Sequence, residues 1–274
     1  NHMIKQAIIP LAGLGTRMLP LTSVMPKELM PINGKPNLQY ILDECIDAGV
    51  KEFIFIISKK KLSIKKYFFN DNFYKKIIKK KKNDKRLKKV FKRIKKYQKM
   101  IKFVYQNKPE GTGDAVLKCK KYLKGTHFLM LLADDLIVKK NCSKEMITLH
   151  KRTKGSVIAT KRVDRKTVSR WGILGFKNRS KNYFLINEVI EKPKLSEAPS
   201  NYAIIGRYIL PKKILSVLKN QGRGKGGEIH ITDAIKTLVK RNEKFYGNIF
   251  RGKYIDCGTL QGFINSGLTI SKYL

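Results

Sequence analysis

Five apolar runs, at residues 5–12, 53–57, 101–105, 127–132 and 156–160, punctuate the first 160 residues, and helical patterns fill several of the gaps between them. Parallel strands cannot be joined by tight turns, because each return needs a crossover of a dozen or more residues. The alternation therefore predicts an α/β chain with a mostly parallel central sheet flanked by helices. The clearest crossover follows Pro36, where Leu38, Ile41, Leu42, Cys45 and Ile46 make one apolar helix face and Gly49 stands at the position of a C-terminal cap. Beyond residue 170 the pattern changes to short strands near 172–176, 183–190 and 202–210, followed by helices near 211–218, 230–241 and 259–272. Neither an internal repeat nor a Ser/Gly/Pro-rich linker interrupts the chain, so one domain over residues 3–274 is expected.

A chain of 274 residues with 42% apolar content can bury a full core. No run of about 18 apolar residues is present, which argues against a membrane span. The start carries no charged-then-apolar leader pattern, and Asn1-His2 before Met3 reads as a cloning remnant. Cys45, Cys119, Cys142 and Cys257 lack Cys-x-x-Cys spacing and do not cluster with the four histidines. Free thiols in a reducing cytoplasm are expected, with neither a zinc site nor a disulfide framework.

The formal net charge is +40, and its location matters more than its size. Residues 59–102 hold 21 Lys or Arg against Asp71 and Asp84, and so contribute +19. Within them Leu87, Val90, Phe91, Ile94 and Tyr97 recur at helical spacing, the pattern of a basic amphipathic helix. The plain expectation is an apolar face packed on the core and solvated lysines, with weak salt-dependent binding to polyanions. A surface for RNA or anionic lipid is the alternative.

The densest chemistry lies in residues 8–36, where an apolar strand empties into Ala12-Gly13-Leu14-Gly15-Thr16-Arg17 and Pro26-Lys27-Glu28-Leu29 follows. Gly13 and Gly15 let backbone amides approach an anion with no Cβ in the way, and Arg17 and Lys27 supply positive charge, an arrangement suited to a nucleoside triphosphate. It is not the phosphate loop of ATPases, since no Gly-Lys-Ser/Thr follows, nor a Gly-x-Gly-x-x-Gly dinucleotide loop. Glu28 reads as an ion-pair partner within this loop. Ligands of open α/β sheets bind beyond the carboxyl ends of the strands. The Gly13 loop, the loop after Tyr105 and Ala133-Asp134-Asp135 all lie at such ends, so three distant segments should converge on one crevice.

These residues resemble the nucleotidyltransferase signature of sugar-1-phosphate pyrophosphorylases, and Ala-Gly-Leu-Gly-Thr-Arg-Met-Leu-Pro is most similar to the bacterial UTP-glucose-1-phosphate uridylyltransferases. The resemblance runs from Ile4 to about residue 270 and fits least well over 59–102. It implies a Rossmann-like nucleotidyltransferase fold, nucleotide-binding over 3–165 and with a smaller sugar-binding part over 166–274. It further implies UTP and glucose 1-phosphate as substrates, Mg²⁺ as cofactor, and a cytoplasmic homodimer or homotetramer.

By the same resemblance Arg17 and Lys27 hold the triphosphate, Ala12, Gly13, Gly15 and Gly111 contribute main-chain contacts to the nucleotide, and Gln106 reads the base. Asp134 and Asp256 are the metal carboxylates, with Ala133 standing where relatives commonly have proline. Glu191 receives the glucose hydroxyls, Lys192 holds the sugar phosphate, and Gly172 and Gly206 let backbone close over the sugar. Glu228 sits in a segment read as mainly structural. A thymidylyltransferase is the nearest alternative, since thymine presents the same edge to Gln106, and a non-catalytic basic protein on the same fold is the more distant one.

Overall fold

The computed structural model describes residues 4–272. Asn1, His2 and Met3, including the pair read as a cloning remnant, lie outside the described residues, as do Tyr273 and Leu274.

The chain enters the sheet with β1 (Gln6–Pro10), makes a small ribbon of β2 (Pro31–Ile32) and β3 (Lys35–Pro36), and crosses over by α1 (Asn37–Asp47) to β4 (Glu52–Ile57). The α1 C-terminus is closed as the sequence suggests. Gly49 adopts φ +98°, its N–H donates to Ile46 O at 3.0 Å, and Val50 N–H donates to Cys45 O at 3.0 Å. That pair of bonds satisfies carbonyls a helix end otherwise leaves open. The Lys-rich stretch folds as three helices, α2 (Leu62–Phe68), α3 (Asp71–Lys80) and α4 (Lys85–Gln98), and leads to β5 (Ile101–Tyr105). Next come α5 (Thr112–Lys118), β6 (His127–Leu131), β7 (Asp135–Val138), α6 (Cys142–Thr153) and β8 (Ser156–Arg162). The remainder is β9 (Gly172–Arg179), β10 (Tyr183–Glu191), β11 (Tyr202–Pro211), α7 (Ile214–Asn220), α8 (Ile231–Lys240), β12 (Phe245–Ile249), β13 (Lys253–Asp256) and α9 (Leu260–Ser271).

Nine strands form one sheet in the order β5-β4-β1-β6-β11-β8-β12-β10-β9. The pairings β5–β4, β4–β1, β1–β6 and β8–β12 are parallel, and only β10 and β11 run against the rest. Strands buried on both faces need apolar side chains on both, which is why the central early strands read as mostly apolar runs. In β4, Phe53, Phe55 and Ile57 join the core formed with α1, α4 and α6, while Ile54 and Ile56 join the core formed with α5, α7 and α8. The amphipathic reading of α4 holds at its C-terminal end, where Ile94 and Tyr97 are buried; Val90 stays exposed. No helix among the described residues is long and apolar enough to cross a membrane.

Two departures from simple sheet geometry build the crevice. β11 pairs with β9 as well as with β6 and β8, folding the far edge of the sheet back beside the end of β6. Separately, β7 and β13 form an antiparallel ribbon with Asp256 opposite Asp135. Both strands are only four residues long, and they join segments of chain about 120 residues apart.

Candidate active site

The loop after β1 is shaped by Gly15, at φ +69°, whose carbonyl accepts a hydrogen bond from Thr22 Oγ1 at 2.8 Å. A Cβ there would come within 3.0 Å of Thr22 Cγ2, so turn geometry and space both call for glycine. The turn carries Arg17 and Lys27 to the end of β6, where both donate to Asp134 Oδ2, Lys27 Nζ at 2.6 Å and Arg17 Nη2 at 3.3 Å. Burial works to lower the Lys27 pKa, but the Asp134 and Glu28 charges and the Asp134 hydrogen bond outweigh it and hold it above its ordinary value. Burial likewise pushes Asp134 up, yet the Lys27 charge and hydrogen bond, with Arg17, hold that carboxyl below its ordinary value. Lys27 and Asp134 thus face the crevice as a charged pair.

Glu28 corrects the reading of an ion pair within the loop. It is 1% exposed, and its partner is Lys61 from the Lys-rich stretch, with Nζ at 2.8 and 2.9 Å from the two carboxylate oxygens. Among the lysines of residues 59–102, this one is buried and pins the Pro-Lys-Glu-Leu turn to the end of β4.

Two cavities meet at Asp134. The first, of about 260 Å³, is lined by Ala12, Gly13, Lys27, Gln106, Gly111 and Asp134 among others. Gln106 is buried at the end of β5, and its Nε2 donates to Asp114 Oδ2 at 2.6 Å and to Gly111 O at 3.1 Å. Gly111 takes φ +99°, and a Cβ there would lie 2.5 Å from Ile229 O. The second cavity, of about 670 Å³, is lined by Arg17, Gly172, Glu191, Lys192, Gly206 and both Asp134 and Asp256. Glu191 Oε2 accepts from Thr232 Oγ1 at 2.8 Å, and its Oε1 lies 3.6 Å from Lys192 Nζ. Lys192 sits at φ +45°, in the left-handed region, with its N–H bonded to Trp171 O at 2.9 Å. A lysine held there stores backbone strain, which the surrounding structure must maintain. Gly206 is obligatory for space, since a Cβ would collide with the Asp135 carboxylate and come within 2.8 Å of Leu132 Cβ.

Asp134 and Asp256 converge around Gly258. A Cβ at that position would lie 2.7 Å from Asp134 Oδ2, 3.2 Å from Asp256 Oδ1 and 2.6 Å from Arg17 Nη2. The glycine therefore keeps open a space walled by two carboxylates. Hard oxygen donors in that number fit a divalent cation that completes its shell with phosphate oxygens and water. No three His, Cys, Asp or Glu among the described residues gather into a self-sufficient metal centre.

Of the residues singled out in the sequence, all line one of the two cavities except Gly15, which turns the loop. Others stand in the sequence without a site role: Glu228 in a segment read as mainly structural, and Asp135 as the second of two adjacent aspartates. Glu228 lines both cavities, positioned by Ile229 N–H bonding to Glu110 O at 2.9 Å and Gly113 N–H bonding to Ile229 O at 2.8 Å. Asp135 is not a surface carboxylate: Tyr254 Oη donates to it at 2.6 Å, and burial together with the Asp134 charge pushes its pKa up to about 7. Beneath both cavities the fully buried Arg207 bonds Glu44 and donates to the carbonyls of Leu132 and Gly206 at 3.2 and 3.1 Å.

The nucleotidyl transferase family model matches residues 6–272. The chain belongs to that family. It is 38% identical over 267 residues to UTP–glucose-1-phosphate uridylyltransferase 2 of Staphylococcus saprophyticus, covering 96% of this chain and 90% of the relative. The protein of the same name from Streptococcus pyogenes serotype M1 is 36% identical over 271 residues, covering 97% and 89%. Among solved structures, a UDP-glucose pyrophosphorylase complexed with UDP-glucose superposes with a TM-score of 0.87 at 32% identity, covering 99% of this chain and all of the other. A UTP-bound UGPase from Acinetobacter baumannii also superposes at 0.87, with 30% identity and coverage of 98% and 93%. The family and the architecture expected from the sequence therefore agree with both comparisons.

Proposed function

We propose that this nucleotidyltransferase moves the uridylyl group of UTP onto glucose 1-phosphate, giving UDP-glucose and pyrophosphate. The observation that carries the reading is the meeting of a base-sized cavity and a larger polar one at Asp134, with Arg17, Lys27 and Lys192 around the junction. A phosphate oxygen of the sugar phosphate attacks the α-phosphorus of UTP, and the bond from that phosphorus to pyrophosphate breaks. The reaction passes through no covalent enzyme intermediate, so catalysis rests on alignment and charge. Arg17 and Lys27 neutralise the triphosphate and the departing pyrophosphate. Lys192 holds the sugar phosphate, Glu191 receives sugar hydroxyls, and Gln106 reads the uracil edge with Ala12, Gly13 and Gly111 alongside.

Asp134 and Asp256 would hold Mg²⁺, which when bound supplies positive charge to the phosphate oxygens. Lys27 and Arg17 both donate to Asp134 Oδ2, which keeps the two cations beside the carboxylate that would hold the metal and close to where the phosphates would lie. That the curated relatives at 36% to 38% identity are named as UTP–glucose-1-phosphate uridylyltransferases supports UTP over dTTP as the substrate here. An apolar contact separates the one-methyl difference by only about 1–3 kcal/mol, so slower turnover of dTTP is expected.

The test is pyrophosphate release with glucose 1-phosphate, Mg²⁺ and each of UTP, dTTP, ATP, CTP and GTP, with an EDTA control. EDTA-sensitive release that is strongest with UTP is expected. Silence with all five would overturn the reading and turn attention to RNA and lipid binding by the basic helices.

A further inference from the structure

Asp114 does not line the nucleotide cavity, yet it decides how Gln106 faces it. Asp114 is 7% exposed at the start of α5. Its Oδ2 takes the Gln106 Nε2 donor at 2.6 Å, and its Oδ1 lies 3.2 Å from Lys118 Nζ one helical turn on. A carboxylate offers only acceptors, so the amide must turn its NH₂ end toward Asp114. The second Nε2 proton goes to Gly111 O at 3.1 Å, which uses up the donors of the side chain. Gln106 Oε1 is left to the cavity, and no described residue donates to it.

We propose that Asp114 is a positioning residue for base specificity: it fixes Gln106 with its oxygen toward the base, so the cavity accepts a ring that donates a proton at N3. Uracil and thymine carry that N3–H. Cytosine has a lone pair at N3 and meets Oε1 acceptor to acceptor. A buried acceptor facing another loses a hydrogen bond and leaves both groups desolvated. With a side chain able to donate in place of that carboxylate, Gln106 could present its NH₂ instead, and the discrimination would fall. Lys118 completes the chain by holding Oδ1, which keeps Oδ2 turned toward Gln106. This inference rests on the nucleotide reading of the cavity given above, and it adds a reason for the choice among pyrimidines.

The experiment compares wild type, Asp114→Asn and Lys118→Met by nucleotide dissociation constants and by kcat/KM for UTP, CTP and dTTP, with thermal unfolding of each variant. In Asp114→Asn the UTP to CTP preference should fall about tenfold or more, the scale of a charge-assisted hydrogen bond. The UTP to dTTP preference should stay within about twofold, because both rings present the same N3–H to the acceptor. A merely structural role would lower all three nucleotides together. Lys118→Met, on a half-exposed side chain, should fold normally and lower the UTP to CTP preference by roughly two- to fivefold, as expected for a weaker, partly screened interaction. An unchanged UTP to CTP preference in Asp114→Asn would overturn the proposal; if that variant does not fold, an unchanged preference in Lys118→Met would do so. Absence of turnover in the wild type would refute the proposed reaction, while the binding preferences would still decide the role of Asp114.

Discussion

Removing the Glu44 carboxylate should damage this protein more than most single substitutions, because of what it leaves behind. Arg207 is fully buried, and Glu44 accepts from its Nε at 3.2 and 3.3 Å and from its Nη2 at 3.0 Å. Burial alone would lower the Arg207 pKa, but the Glu44 charge and hydrogen bonds outweigh it and raise it. Glu44 Oε1 also accepts from Ser143, from the amide at 3.1 Å and from the hydroxyl at 2.6 Å. Glu44→Ala strips these partners at once and strands a guanidinium with two carbonyls for company. Breaking a buried pair in this way costs about 3–5 kcal/mol. For a chain of this size that corresponds to a Tm lower by roughly 6–20 °C. Calorimetry or urea unfolding reads it directly. Replacing both partners, as Glu44→Leu with Arg207→Met, should recover most of the loss, since the buried charge goes too. Because Arg207 holds the Leu132 and Gly206 carbonyls, the folded Glu44→Ala protein should also turn over more slowly. A loss below about 1 kcal/mol in Glu44→Ala would refute the claim that the pair is desolvated and interdependent.

Further outcomes follow from the site. Gly206→Ala drives a Cβ into Asp135 and Leu132, and should raise KM for glucose 1-phosphate roughly 5- to 150-fold, the equivalent of 1–3 kcal/mol of overpacking, with UTP affinity nearly unchanged; unaltered KM would contradict the assigned sugar cavity. Asp134→Asn or Asp256→Asn should lower turnover at least about tenfold at saturating substrates, with circular dichroism unchanged, and wild-type rates in both would remove the metal assignment. Asp134 is held below its ordinary 3.8, so its stabilising pair with Lys27 is complete above about pH 4 and lost as pH falls through the folded-state value. Lys27, raised above 10.5, contributes fully below that pH and loses its share as pH rises through its own folded-state value. The stability gap between wild type and Lys27→Met should therefore be flat near neutrality and shrink as acid protonates Asp134 in the folded protein; a gap unchanged through the whole acid limb would contradict the pairing.

The fold was legible where local chemistry and burial coincide. Strands buried on both faces are mostly apolar, so β1, β4, β6 and β8 stood out, as did the edge strand β5 through Ile101, Phe103 and Val104, and Gly49 marked the end of α1. The motif residues were legible because glycines and charges in that order have few structural uses. What escaped depends on contacts that no local pattern records. Lys61 is one lysine among many until the fold buries it against Glu28. The β7–β13 ribbon brings Asp256 beside Asp134 through strands too short to show a period. Glu228 reaches both cavities only because its backbone neighbour pairs with the loop at Glu110 and Gly113. Asp135 looked like a second loop carboxylate, and its burial against Tyr254 follows from the ribbon rather than from its neighbours in sequence.

The most direct measurement of the central claim is product formation: purified protein with UTP, glucose 1-phosphate and Mg²⁺, followed by chromatographic detection of UDP-glucose, beside the Asp256→Asn protein. Stoichiometric UDP-glucose and pyrophosphate from the wild type, and at least tenfold less from the variant, is the predicted result. No UDP-glucose from folded wild-type protein, or equal amounts from both, would contradict the account.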